Sequence, residues 1–257
     1  MPSLGRMLKE TLAAGYDYLQ LVVVANVLWC TAWIAPALAA AAVAASPVAL
    51  AALGATVGAL TVGPATLGLA HLSHHIATRD DPGLRHFFQG YSRFFWRGVF
   101  YFLINAVIVA GCILNIGFYT TKFAGHWLWM IGVLWIYVLI FWCLMQLYAP
   151  QFIVREDSGV WRGLRKAALL AADSIGYSTV VMLEIAAMAA LLALPVLLGR
   201  PTLMGLSVMV VFFLFAGLVA LLGAGAVEDL LRKYQTEEGE ATEPPEDLSP
   251  EEEAFRA

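Results

Sequence analysis

One acidic residue stands alone inside a long apolar run. Glu184 lies in the run of residues 174–199, and at about 1.5 Å of helix rise per residue it is about 15 Å deep, near the middle of a bilayer. A carboxylate at that depth costs about 2.5–3.5 kcal/mol, so such residues usually face a bundle interior or a wet cavity. Two roles are open: a proton or cation coupling site, or a neutral glutamic acid that hydrogen-bonds one helix to another.

Asparagines in other apolar runs are the expected partners of this carboxyl group. Because no Lys or Arg lies at its depth, we expect it to be protonated or hydrogen-bonded to Asn26, Asn105 or Asn115. Asn26 and the break at Gly63-Pro64 also suggest a polar seam, since proline removes one backbone hydrogen bond from its helix. Such breaks line substrate sites in some transporters, and in other proteins they only shape helix packing.

Three histidines share one face at the end of the second apolar run. His71, His74 and His75 occupy positions i, i+3 and i+4, and His86 follows in the next loop. Imidazoles at this spacing can bind zinc. However, the segment lacks the Glu of an HExxH pattern and the Cys or carboxylate ligands that usually complete a site. The alternative is a weakly basic helix end that faces lipid head groups, and we expect neither a metal nor another cofactor.

Apolar runs long enough to cross a membrane must position these residues. Between Asp17 and Arg79 the chain has 61 residues without Asp, Glu, Lys or Arg, whereas one crossing needs about 20. The Ser46-Pro47 pair divides this stretch into two helices. With the four later runs, the sequence predicts an all-α bundle of six transmembrane helices in a domain of residues 18–235. The expected spans are about 18–45, 48–77, 96–121, 127–150, 174–199 and 202–227.

The composition excludes an ordinary soluble domain. The chain is 61% hydrophobic and 13% charged, whereas soluble domains carry about 25% charged residues. Nine of the nineteen acidic residues fall in the last 21 positions, so we expect residues 236–257 to form a solvated, disordered acidic tail. The sequence also contains no P-loop, no nucleophile elbow and no basic surface for nucleic acid. We therefore expect neither an enzyme nor a nucleic-acid-binding protein.

The distribution of basic residues predicts the orientation. Six crossings place both termini on one side of the membrane. If that side is the cytoplasm, thirteen of the fifteen Lys and Arg residues are inside, and only Lys122 and Arg200 are outside. Such a bias is typical of cytoplasmic loops, so we expect both termini to be cytoplasmic.

Three amphipathic segments are expected at this inner surface. The first is the N-terminal segment of residues 1–17. In the second, Asp81 caps a helix that has Pro82 in its first turn, and in the third the cap is Asp157 or Ser158. We expect their basic faces to lie against anionic head groups.

Four short motifs follow one another along the chain. They are Asn26–Trp29, Gly63–Thr66, Phe87–Tyr91 and Tyr148–Pro150. In this order they resemble the YesL-like family of bacterial membrane proteins, a domain of unknown function. The chain departs from that family in an Ala-rich insertion at residues 37–60, and in His74 and His75, which stand where the family tends to have Arg or Lys.

The resemblance implies a protein of the bacterial cytoplasmic membrane with an accessory role beside carbohydrate uptake systems. On that basis we expect a non-catalytic accessory or assembly subunit of a carbohydrate transport complex. The alternative is an autonomous transporter of small solutes or ions that uses Glu184 as its coupling group. The expected partners are membrane lipids and either other membrane-protein subunits or further copies of the chain.

Overall fold

The computed structural model describes residues 4–43, 46–122, 127–197 and 201–242. Within these ranges the chain forms ten α-helices and one π-helical segment, and no strand. The helices are α1 (Leu4–Asp17), α2 (Leu19–Val43), α3 (Pro47–Thr78), α4 (Leu84–Arg93), α5 (Phe95–Lys122), α6 (Trp129–Arg155), α7 (Val160–Asp173), α8 (Ile175–Leu197), α9 (Pro201–Val210) and α10 (Ala216–Thr242), with the π-helical segment Val211–Phe215 between the last two.

Six stretches of helix are long and apolar enough to cross a membrane, which confirms the predicted number of spans and the all-helical class. They are Leu19–Leu38, Ala52–Thr78, Phe95–Lys122, Trp129–Arg155, Ile175–Leu194 and Ser207–Lys233. The sixth begins in α9, passes through the π-helical segment and continues in α10. Helix α10 reaches Thr242, past the predicted start of the tail at residue 236, and tail residues 243–257 lie outside the described ranges.

The first two spans are divided where the sequence predicted. Helix α2 ends at Val43 and α3 begins at Pro47. The Ser46 hydroxyl accepts a hydrogen bond from the backbone N–H of Ala49 at 3.2 Å, which caps α3. Proline in the first turn costs no hydrogen bond, because the N–H groups there have no helical partner.

The charged residues gather at one end of the bundle, called the charged end below. It contains the ion pairs Arg79–Asp17, Arg93–Asp157, Arg155–Glu228 and Lys166–Glu156. The three short helices α1, α4 and α7 belong to this end, where α1 packs against α10 and α4 packs against α3. The amphipathic segments of the sequence are therefore helices.

The predicted caps of α4 and α7 are wrong. The N-cap residues are Gly83 and Gly159, which have the extended backbone that a cap requires. Asp81 and Asp157 lie earlier, in left-handed turn positions with φ of 40° and 49°, where a short polar side chain is tolerated. Their carboxylates bind arginine side chains instead of helix N–H groups.

Helix α3 occupies the centre of the bundle because its small residues admit close neighbours. A Cβ atom on Gly63 would lie 2.1 Å from the backbone O of Gly98, and one on Gly98 would lie 2.5 Å from the N of Pro64. The backbones of α3 and α5 are therefore in direct contact, as is common between membrane helices. In the most apolar stretch of α3, 50% is buried inside the bundle, compared with 11% in that of α8.

Replacement of Gly98 tests this contact. We expect Gly98→Ala to destabilise the protein by about 1–3 kcal/mol or more, because the new methyl group meets backbone that cannot rotate away. Gly117→Ala is the matched control, since it lies on the same helix at a position where a methyl group would meet no neighbouring atom within 4 Å. Thermal unfolding in detergent measures both, and equal midpoints would contradict the proposed contact.

Candidate functional site

Asn26 is fully buried and binds the π-helical segment of the sixth span. Its Nδ2 donates to the backbone O of Val211 at 3.0 Å and of Phe212 at 2.6 Å, and its Oδ1 accepts from the N–H of Gly217 at 2.7 Å. A π-helical turn interrupts the α-helical hydrogen bonds, and no water replaces them in hydrocarbon. A single amide from α2 thus satisfies three backbone groups of the neighbouring span.

The backbones of α2 and α10 meet closely beside this amide. A Cβ atom on Gly217 would lie 2.7 Å from Cγ1 of Val22 and 3.3 Å from its backbone O. One turn beyond Asn26, the buried thiol of Cys30 lies 3.6 Å from the O of Phe212. Glycine at position 217 therefore allows the amide of Asn26 to reach the interrupted turn.

The first two motifs of the sequence meet in space. The indole Nε1 of Trp29 donates to Oγ1 of Thr66 at 3.0 Å, and this hydroxyl donates to the backbone O of Val62 at 2.8 Å. Asn26–Trp29 on α2 and Gly63–Thr66 on α3 thus form one polar seam inside the membrane. The predicted seam of Asn26 and Gly63-Pro64 is consistent with this geometry.

A cavity of about 260 Å³ lies against the seam and is lined by residues of α2, α3, α5, α6 and the sixth span. Its polar lining residues are Trp29, Thr66, Tyr101, Gln146 and Gln151. Tyr101 donates to Oε1 of Gln146, and Nε2 of Gln151 donates to the backbone O of Ala220 at 3.1 Å. Nε2 of Gln146 is buried without a hydrogen-bond partner among the described residues. The rest of the lining is largely apolar and contains no Asp, Glu, His, Lys or Arg.

Glu184 lies away from this cavity. It is half-buried on α8, and its Oε2 atom is buried without a hydrogen-bond partner in the described part of the chain. Helix α8 packs against α6, α7 and α9. The buried side chains of Val181 and Ile185 belong to the same core cluster as residues of α6. The carboxyl group is therefore near the edge of the bundle.

The asparagines expected to bind Glu184 have other partners. Asn105 donates to the backbone O of Tyr101 at 2.9 Å and accepts from Nε1 of Trp142 at 3.0 Å. Asn115 donates to the backbone O of Gly111 in its own helix at 2.7 Å. Similar depth in the membrane therefore does not by itself bring two side chains together, because each of these asparagines is bonded elsewhere.

The histidine rings pack against one another at the end of α3 and the start of α4. His75 lies parallel to His86, with ring centroids 3.9 Å apart and an interplanar angle of 12°, and His71 meets His75 edge-on at 4.9 Å. His74 lies 5.8 Å from His75. Within the described ranges, no group of three or more His, Cys, Asp or Glu side chains could hold a metal ion.

Sequence reasoning missed a contact that joins α4 and α5 to the turn before α7. The carboxylate of Asp157 binds Arg93, at 2.6 Å, and also Arg97. These two charged hydrogen bonds lower the pKa of Asp157 below its ordinary value. The signal in the sequence was the acidic Asp157 in a loop that faces a basic segment.

Sequence reasoning also missed the polar lining that the fourth span gives to the cavity. Gln146 and Gln151 flank Pro150 in an otherwise apolar helix, and two amides beside a proline break were the available signal.

No protein-family model, curated protein or solved structure matches the chain. The site is thus defined by its own geometry.

Removal of the Asn26 amide tests whether it holds the sixth span. In Asn26→Leu, up to three buried backbone groups lose their partner, and each such loss costs about 1–3 kcal/mol. We expect a large fall in the thermal unfolding midpoint in detergent. Asn115→Leu is the control, because that amide bonds only to its own helix, and it should have little effect. Equal stability of the two variants would show that the Asn26 bonds contribute nothing.

Proposed function

We propose that the chain is a non-catalytic accessory or assembly subunit that binds other membrane-protein subunits of a transport complex. The observation that carries this proposal is the position of Glu184. It lies in the middle of α8, the span with the smallest buried share, and it is only half-buried there.

A half-buried carboxyl group at this depth favours a protein neighbour over lipid. Lipid offers no hydrogen-bond donor to the carboxyl, and its insertion costs about 2.5–3.5 kcal/mol. One oxygen already lacks a partner among the described residues. A helix of another subunit that supplies a donor would offset this cost, and apolar side chains of α8 such as Leu183 and Leu191 are exposed to receive it.

The carbohydrate context of the complex rests on the YesL-like resemblance. That resemblance is most specific at Gly63–Thr66, and the bond between Trp29 of the first motif and Thr66 supports a shared structural role for the two motifs. The basic residues of the charged end support a location in the bacterial cytoplasmic membrane with both termini in the cytoplasm.

An autonomous transporter that uses Glu184 is the second candidate. The intramembrane cavity of about 260 Å³ favours it, because cavities of this kind can hold a small solute. However, Glu184 does not line that cavity, and the amide of Asn26 is committed to the π-helical turn. A transporter needs its coupling group close to the cavity that holds the substrate, and here the two are separated. We therefore favour the accessory role.

The assembly role is tested by Glu184→Leu in protein purified from its own cells in mild detergent. We expect the wild-type chain to run with partner subunits in native electrophoresis and the variant to lose them, because leucine cannot accept a hydrogen bond. The isolated variant should keep or raise its unfolding midpoint, since it no longer holds a carboxyl group in apolar surroundings.

Two controls separate the possible outcomes. Leu114→Ala removes a leucine that is 71% exposed on α5, away from the proposed α8 interface, and should leave the assembly intact. A wild-type chain that purifies without partners, or a Glu184→Leu assembly identical to wild type, would contradict the proposal. Solute flux into liposomes by the purified chain that is abolished in Glu184→Gln would support the transporter instead.

A further inference from the structure

The first turns of α4 are held on α3 by stacked imidazoles. His86 of α4 is only 8% exposed, and its ring lies parallel to that of His75 on α3 with the centroids 3.9 Å apart. The edge of His71 completes the cluster, at 6.1 Å from the His86 ring. Three titratable rings therefore form part of the contact between these two helices.

His86 also caps its own helix. Its Nδ1 accepts a hydrogen bond from the backbone N–H of Gly83, the N-cap residue, at 3.3 Å. A ring nitrogen that accepts a hydrogen bond carries no proton, so this cap requires neutral histidine. Protonation would remove the bond and place a positive charge in the first turn of α4, where the helix dipole is also positive.

Other charged groups around the stack determine how much free energy it costs to protonate His86. On α3, Nδ1 of His75 lies 3.4 Å from Oδ2 of Asp80. Asp81 is paired with Arg85. The remaining neighbours are cationic or become so on protonation: they are His71, His74, Arg85 and Arg93. Burial, His75 and Arg85 lower the pKa of His86.

We propose that this cluster is a pH-sensitive switch, in which protonation of His86 breaks its cap on Gly83 and releases the first turns of α4 from α3. The packed state resists protonation of His86, whereas the released ring titrates at its ordinary value of about 6.5. Falling pH therefore favours the released state, and the transition begins as the pH drops below that value.

The other end of α4 stays attached in the same pH range. Arg93 and Arg97 bind Asp157, and these bonds keep the pKa of its carboxyl group low. Asp157 is therefore still ionised when His86 takes up its proton. Release is confined to the N-terminal part of α4, and α4 pivots about its fixed C-terminal end.

Release of α4 would uncover apolar surface at the charged end. Phe87 is 3% exposed and packs in one cluster with Leu69 and Leu72 of α3. A Cβ atom on Gly90 would lie only 3.0 Å from Cα of Gly68, so the backbones of α3 and α4 are in close contact towards the fixed end of α4. The switch would make the surface of α3 and α4 depend on acidity, and it does not rely on the role proposed for Glu184.

Hydrogen exchange of the full chain in detergent tests the switch. We compare protection of the amides of residues 84–90 at about pH 7.5 and about pH 5, corrected for intrinsic exchange. Wild-type protection should fall by about tenfold or more, because one proton bound preferentially by the released state changes its population tenfold per pH unit. Protection of α5 should not change.

His86→Gln supplies an acceptor for Gly83 without a titratable ring, so its α4 should stay protected at both pH values. His74→Gln is the control and should behave as wild type, since its ring lies outside the parallel stack. If α4 of His86→Gln is already unprotected at neutral pH, His75→Gln is the deciding variant. It should move the transition to lower pH, because His75 no longer lowers the pKa of His86 in the packed state. Protection of wild-type α4 that does not depend on pH, or an unshifted transition in His75→Gln, would overturn the proposal.

Discussion

In hydrocarbon, a backbone carbonyl or N–H that loses its helical partner has no water to replace it, so another part of the protein must supply a donor or acceptor. This constraint governs the inner helices. Pro36 has no N–H for the carbonyl of Ala32, and Oγ1 of Thr61 on α3 donates to that oxygen at 2.9 Å. Pro64 likewise frees the carbonyl of Leu60, which the hydroxyl of Tyr91 on α4 approaches at 3.5 Å.

Asn26 solves the same problem for the π-helical segment, with two donated hydrogen bonds and one accepted. Each of these side chains bonds to a freed backbone group on another helix. The bond therefore also fixes how the two helices align. Such bonds need close backbones, which Gly68 and Gly90 permit between α3 and α4, and Gly217 permits between α2 and α10. Pro150 makes a further break, and the central cavity lies beside it.

The six spans could be predicted from the sequence because the thickness of the hydrocarbon dictates the length of an apolar run. Positive charge and amphipathic spacing likewise located the three short helices. The caps were mistaken because Asp81 and Asp157 have a left-handed backbone, which composition does not reveal. The partners of Glu184 were mistaken for a different reason: a sequence gives depth along the membrane normal, whereas a hydrogen bond also requires that two helices be neighbours.

The same limit bears on how polar residues inside the membrane are interpreted. Asn26 has the features expected of a substrate ligand, but both hydrogens of its amide and its oxygen already bind backbone of the sixth span. Asn26 cannot bind another partner without leaving these three backbone groups without a hydrogen bond. The residues that remain able to respond are those at the margins of the bundle: Glu184 on a weakly enclosed helix and His86 at a capped helix end. A polar side chain can change its partner at modest cost where it satisfies no backbone group, as at Glu184, or where water can replace the bond it makes, as at His86 outside the membrane-spanning stretches.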